Sequence, residues 1–322
     1  MTWSPPTLAD VLRAKTAIAP YLRPTPMLQR PALDTALGCR AYLKCENLNP
    51  TGAFKVRGGI NLISTFSAEQ KSRGVVAAST GNHAQSVAYA ARLFGARAII
   101  YMPEAANPLK VASTRAWGAE VVQTGRDFDD ARKAAEIRAG ADGLRFIHSA
   151  DEPLLIAGVA TCAMEMFEVV PDLDVLFVPV GGGSGMIGAG SVARLVNPKT
   201  RVIAVQAEGA PAVYRSWKAG ERIVTENATT FAEGLATREP FDLPLQLMHR
   251  LVDEIMLVSD AQIESAIRLL LETTQQVAEG AGAAAVAAAL QRRDELRGKT
   301  VGLVLSGGNL TIDVLRRILN HA

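Results

Sequence analysis

Short apolar runs alternate with amphipathic stretches along most of this chain. The runs at 74–78, 96–102, 120–123 and 144–147 read as strands, and the stretches near 83–94, 108–117 and 128–139 as helices between them. A helix near 152–170, a strand at 175–180, a helix at 185–196, a strand at 201–207 and a helix around 211–219 continue the pattern. A less regular stretch follows to about 250. The chain then closes with a strand at 254–258, helices at 260–274 and 279–296, a strand at 300–305 and a helix from about 310. Upstream, 41–46 reads as a strand and 54–66 as a helix, and Thr7 can cap a helix that Pro20 ends. This alternation predicts an α/β fold with two open, twisted, mostly parallel sheets flanked by helices. Breaks near 65 and 150 would make 65–150 a small inserted α/β domain, leaving 1–64 and 151–322 as the large one.

Four segments interrupt this pattern with unusual chemistry. Thr51-Gly52-Ala53-Phe54-Lys55-Val56-Arg57-Gly58-Gly59 sets one lysine among small and aromatic residues just before a helix. A desolvated amine has a lowered pKa and forms a Schiff base with an aldehyde. The other three, Ser79-Thr80-Gly81-Asn82-His83, Gly181-Gly182-Gly183-Ser184-Gly185 and Ser306-Gly307-Gly308-Asn309, each follow an apolar run and precede helical spacing. Ligands of open α/β sheets bind at such strand ends and helix starts. The four loops therefore imply one shared site.

Composition narrows the function classes. With 34 basic against 32 acidic side chains and 5% aromatics, the chain has neither the charge nor the stacking surface for nucleic acid, and no basic surface for an acidic membrane. Cys39, Cys45 and Cys162 form no CxxC pair, which fits a reducing cytoplasm. The start Met1-Thr2-Trp3-Ser4-Pro5-Pro6 has no signal-peptide pattern, and no stretch reads as a membrane span. His83, His148, His249 and His321 are scattered, so no metal site is expected.

An aldehyde cofactor bearing a phosphate accounts for all four loops together. Backbone N–H groups from Gly181 to Gly185 can cradle the phosphate, Lys55 anchors the aldehyde, Asn82 can donate to a phenolate and Ser306 can bond a ring nitrogen. Pyridoxal 5'-phosphate has each of these groups. A rival reading exists, because Gly183-Ser184-Gly185-Met186-Ile187-Gly188 matches GxGxxG after a strand and Glu208 ends the next one. That NAD(P)-dependent Rossmann oxidoreductase would leave Lys55, Asn82 and Ser306 without work. A non-catalytic binding protein would need no lysine in a glycine-lined pocket.

Together, Lys44-Cys45-Glu46-Asn47-Leu48-Asn49-Pro50 running into the Lys55 segment, Ser79 to Gln85, the 181–185 loop, Ala232-Glu233-Gly234-Leu235-Ala236 and the Ser306 segment resemble the fold-type II pyridoxal phosphate enzymes. Within them the resemblance is to the threonine/serine dehydratase and serine racemase group. It implies a homodimer in which Lys55 is the Schiff-base lysine and Phe54 packs beneath the pyridine ring. It implies further that Asn82 meets the ring hydroxyl, Gly181, Gly182, Gly183, Ser184 and Gly185 the phosphate, and Ser306 the ring nitrogen, with Glu279 nearby and Gly234 lining the site. Ser79, Thr80, Asn82 and His83 would receive the substrate carboxylate. His83 reads equally as a helix cap, and Glu279 as a first-turn carboxylate facing the helix dipole.

The activity so implied is loss of water from a β-hydroxy amino acid, giving a 2-oxo acid and ammonia, with racemisation as the alternative on the same scaffold. Threonine and serine are the default substrates, and phenylserine or hydroxyaspartate stays open. The pocket wall is expected from 229–240 and its surroundings, where Phe231, Arg238 and Phe241 either face substrate or only pack. Thr80 stands where racemases carry a serine that protonates the α-carbon; its methyl restricts χ1, so elimination is expected to dominate. This chain departs from the family at Ala53, often a serine, and at Tyr214, which replaces the aspartate of a cation site whose other members match Glu208 and Ala212. No structural cation is therefore expected. The sequence ends soon after the Ser306 segment, so no regulatory domain is expected there.

Overall fold

Ten strands form two separate sheets in the computed structural model, which describes residues 3–320. His321 and the first two residues of the amino terminus lie outside the described residues. The larger sheet runs β1 (Met27–Leu28), β2 (Arg40–Cys45), β10 (Thr300–Leu305), β7 (Val175–Pro179), β8 (Arg201–Ala207) and β9 (Glu254–Val258), in that spatial order. All its pairings are parallel except β1 against β2. The smaller sheet, β5 (Glu120–Gln123), β4 (Ala98–Met102), β3 (Val75–Ala78) and β6 (Arg145–Phe146), is parallel throughout.

Parallel strands covered on both faces need apolar residues at odd and even positions alike. β3, β4 and β10 meet that demand, being buried along their whole length. On β8, Ile203, Val205 and Ala207 enter one core while Val202 and Ala204 enter the other. β3 divides likewise, with Val75 and Ala77 on one side and Val76 and Ala78 on the other.

Helices α1 (Leu8–Ile18), α2 (Pro31–Leu37), α3 (Lys55–Ser64) and α4 (Ala68–Arg73) precede the smaller sheet. α5 (Asn82–Leu93), α6 (Pro108–Ala116) and α7 (Phe128–Asp142) cover it. α8 (Pro153–Val169), α9 (Ser184–Val196), α10 (Ala212–Ala219), α11 (Asp242–Leu251), α12 (Asp260–Thr274), α13 (Gly280–Gln291) and α14 (Ile312–Asn320) follow. α13 lies directly on β7 to β10, because its alanines let the helix axis come close to the sheet. Thr7 caps α1, as the sequence predicts, and the structure adds a reciprocal capping box with Asp10.

Several expectations need correction. The stretch read as irregular contains α11, whose Leu243, Leu247, Met248 and Leu251 make a buried helical face. Pro244 falls in its first turn, where a missing N–H costs nothing. β1, α2 and α4 were not expected from the pattern, since each is too short for a period to show. The strand at 144–147 shrinks to two residues, and the helix from 279 ends at Gln291. Among the described residues, no helix is long and apolar enough to cross a membrane.

Candidate active site

The carboxyl ends of β3, β7 and β10 open onto one cavity of about 270 Å³ between the two sheets. Lys55 sits at the first position of α3, where an ion cluster behind the helix fixes its place. In that cluster Arg57 meets Glu46 at 2.7 and 2.8 Å and Glu165 at 2.6 and 2.8 Å, and Lys44 pairs with Glu165 as well. Burial works against the Glu46 carboxylate, but Arg57, Lys44 and Thr25 outweigh it and hold its pKa down at about 2. α3 also presses tightly on α8: a Cβ on Gly58 would stand 2.7 Å from Leu155, and one on Gly158 2.6 Å from the Arg57 carbonyl. The ion cluster and this close packing set α3, and with it the lysine.

Lys55 faces the cavity instead. Its Nζ donates to the Ser184 Oγ at 2.6 Å and to the Ser149 carbonyl at 3.0 Å. Among the described residues no carboxylate pairs with it, and burial lowers its pKa to about 8. The amine lies 5.5 Å from the centroid of the Phe54 ring. Phe54 in turn stands against Gly185, where an added Cβ would come within 3.1 Å of the ring.

The 181–185 loop is built for close backbone approach. Gly183 caps α9 at φ +95°, in the left-handed region where a side chain is strained. A Cβ on Gly181 would lie 2.0 Å from the Gly234 carbonyl, and one on Gly182 2.8 Å from Phe241. The loop thus presents bare N–H groups at a helix start, which suits a phosphate. Together with an unneutralised buried amine and a flat ring, these residues fit pyridoxal phosphate. Ser306, buried at the end of β10, lines the same cavity, and its carbonyl accepts from the Phe54 N–H at 3.0 Å.

Asn82 begins α5 with both ends of its amide engaged. Its Nδ2 donates to Glu279 Oε1, and its Oδ1 accepts from Asn309 Nδ2 at 2.8 Å. One Nδ2 hydrogen remains for a ligand. Glu279 is therefore more than a first-turn carboxylate: it stands at the N-cap position of α13 without a side-chain cap bond and instead orients Asn82 across the cavity. The Ser79 Oγ accepts from the Gly81 N–H at 3.0 Å, which keeps its own proton for donation. Thr80 also lines the cavity.

His83 departs from the helix-cap reading. Its Nε2 lies 3.3 Å from the Ile147 carbonyl and its Nδ1 has no partner in the protein. Burial first, and then the nearby Lys55 charge, lower its pKa to about 3. The ring is therefore neutral, with Nε2 donating to the carbonyl. Its side chain brings no positive charge to a carboxylate.

Sequence reasoning missed Lys110 and Phe128, both of which line the cavity from the smaller sheet's side. Lys110 has no local signal, since it follows Asn107-Pro108 as an ordinary early helix position. Of the three side chains left open, Phe241 lines the cavity and meets His148 edge-on at 4.5 Å, whereas Phe231 and Arg238 do not line it. Glu208 is exposed and away from the cavity, and Gly188 packs on Ala160, so the GxGxxG spacing does not assemble a dinucleotide site. Among the described residues no group of three or more His, Cys, Asp or Glu is placed to hold a metal ion.

Comparison with known proteins agrees with this geometry. A Thermotoga maritima protein named L-threonine ammonia-lyase is 41% identical over 98% of this chain and 78% of its own. A Saccharomyces cerevisiae protein named L-threo-3-hydroxyaspartate ammonia-lyase is 37% identical over 95% of this chain and 94% of its own. The solved structure of maize serine racemase superposes with a TM-score of 0.92 at 30% identity, covering 99% of this chain and 98% of that one. The family described as pyridoxal-phosphate dependent enzyme matches residues 18–307, and the chain belongs to it.

Proposed function

We propose that this enzyme is a β-hydroxy amino acid dehydratase, acting on threonine or serine and releasing a 2-oxo acid and ammonia. The observation that carries the reading is Lys55: a desolvated, half-buried amine without a counter-charge, held against the glycine loop by neutral oxygens. The cofactor, when bound, supplies the electron sink for the substrate's α-carbon. Lys55 would anchor it and then take the α-proton on Nζ, a task suited to an amine whose pKa lies near 8. The 181–185 N–H groups would hold the phosphate, and the free Nδ2 hydrogen of Asn82 would meet the ring hydroxyl. Ser306, neutral and buried, would face the ring nitrogen without forcing a proton onto it.

The substrate carboxylate would rest on the hydroxyls of Ser79 and Thr80 and on the N–H groups that open α5, at Asn82 and His83. Gly234 contributes backbone beside Gly181. In this reading 65–150 is a small domain inserted into the large one, formed by 1–64 and 151–322. The name of the Thermotoga maritima relative, L-threonine ammonia-lyase, supports elimination. The maize neighbour keeps racemisation as the second reading, with Thr80 as the residue that divides them.

The test is release of 2-oxo acid and ammonia across threonine, serine, phenylserine and 3-hydroxyaspartate, with chiral analysis of the remaining substrate. D-amino acid accumulating as fast as 2-oxo acid would make the enzyme a racemase. Replacing Thr80 with serine should then raise the inversion-to-elimination ratio, and replacing it with alanine should lower it. The reading extends to a cytoplasmic homodimer: three free, buried cysteines support a reducing compartment, and the dimer is what the family resemblance implies. Sedimentation at the monomer mass would remove the dimer.

A further inference from the structure

Lys110 is a buried cation at the cavity that the reaction outlined above does not use. It lies on α6, beside the smaller sheet, and both of its counter-ions come from the other side of the cavity. Its Nζ is 2.5 Å from Glu233 Oε2 and 3.7 Å from Glu279 Oε2. Its stem covers Gly81, where a Cβ would stand 2.7 Å from Lys110 Cδ. Glu279 uses its other oxygen to accept from Asn82 Nδ2, and Asn309 fixes the far end of that amide. An unbroken chain of polar contacts thus runs from Lys110 through Glu279 to the one Asn82 hydrogen left for a ligand.

We propose that Lys110 is a positioning residue that holds the Glu279 carboxylate in place and thereby keeps Asn82 with its N–H, rather than its carbonyl, toward the cofactor ring. An amide bound by a carboxylate at nitrogen and by Asn309 at oxygen has one stable orientation. Without the ammonium, the Glu279 oxygen that faces it has no cation to hold it, and the Glu233 charge repels it. A displaced Glu279 releases the Asn82 nitrogen, and the amide is then free to turn its oxygen to the ring. Glu233 is half-exposed, so its charge is the smaller influence. Glu233 and Glu279 are the charged groups that pair with Lys110 among the described residues.

This inference rests on the pyridoxal phosphate site and not on which amino acid is the substrate. Its test therefore uses no substrate: the visible absorbance of the cofactor-loaded protein is titrated against pH. In Lys110→Met, which keeps the stem over Gly81, the midpoint should move by about one pH unit, the size of a lost neighbouring charge. Cofactor affinity should weaken roughly tenfold, an ordinary coupling between linked groups. Glu233→Gln removes a negative charge instead and should move the midpoint the opposite way by less. Adding Glu279→Gln to Lys110→Met should return the midpoint to that of Glu279→Gln alone, because a neutral amide needs no cation beside it. If Lys110→Met does not fold, the Glu233→Gln shift decides alone. A midpoint unmoved in both single variants, or moved the same way by both, overturns the proposal.

Discussion

The two sides of α3 bury a cation in opposite ways. Arg57 turns to the back, where Glu46, Glu165 and Thr161 surround its guanidinium. Burial alone would lower its proton affinity, but the two carboxylates reverse that and raise it well above its ordinary value. Lys55, two residues earlier, turns to the front and meets a hydroxyl and a carbonyl. Burial there goes uncompensated, and the pKa falls to about 8. Arg57 is wholly buried and Lys55 partly so, but what separates them is their partners. A paired buried charge fixes architecture, and an unpaired one is available for chemistry.

Removing each cation should therefore fail in a different assay. Lys55→Ala should cost at least about a thousandfold in turnover, the scale at which lost general bases and nucleophiles act. The variant should lose the visible absorbance of the bound cofactor while its urea midpoint stays near that of the parent. Near-normal dehydration by this variant would sink the reading of the front face.

Arg57→Leu should behave the other way round. It leaves Glu46 and Glu165 buried with Lys44 as their remaining cation, and breaking such a network costs about 3–5 kcal/mol. Urea unfolding measures this directly. A loss below about 1 kcal/mol would erase the contrast between the two faces.

A smaller change probes the cavity without touching either cation. Gly182→Ala would bring a methyl to 2.8 Å from the Phe241 ring, and the loop must shift to relieve it. We expect cofactor affinity to fall about tenfold, or roughly 1.4 kcal/mol. Adding Phe241→Leu should restore part of the loss in a fluorescence titration of the apoprotein. An unchanged affinity in Gly182→Ala would mean that this backbone is not pressed against the phosphate.

The front face was legible in the sequence because its chemistry is local. Glycine runs after apolar strands mark strand ends, and Lys55, Asn82 and Ser306 lie inside such runs. The parallel α/β fold was legible for a related reason, since strands buried on both faces appear as unbroken apolar runs. The back face was not. Glu46 and Arg57 stand within recognisable motifs, but their partner Glu165 lies 108 residues beyond Arg57 on α8, and nothing local announces the pairing. Lys110 hid for the same reason, its carboxylates lying beyond residue 230. α11 hid behind two prolines, although its leucine spacing is helical.

A further effect, seen only as a pH dependence, concerns His83, which lies near Lys55 yet carries no charge. Burial, followed by the Lys55 ammonium, takes its pKa from 6.5 to about 3. A histidine with a depressed folded pKa binds its proton more readily when the chain unfolds. Its neutral, buried form therefore imposes no penalty above pH 6.5, and stability is lost as pH falls from there toward 3. The slope is about 1.4 kcal/mol per pH unit within that window. Glu46 acts lower down: its folded pKa of about 2 lies below the ordinary 4.5, so its contribution is present above 4.5 and fades toward 2. Between pH 6.5 and 5 the two are separable, because Glu46 is ionised in both folded and unfolded chains. His83→Gln should thus flatten the urea-midpoint profile over that interval and leave the acid limb below 4.5 in place. A profile equally steep with and without the imidazole would show that His83 titrates alike in the folded and unfolded chains.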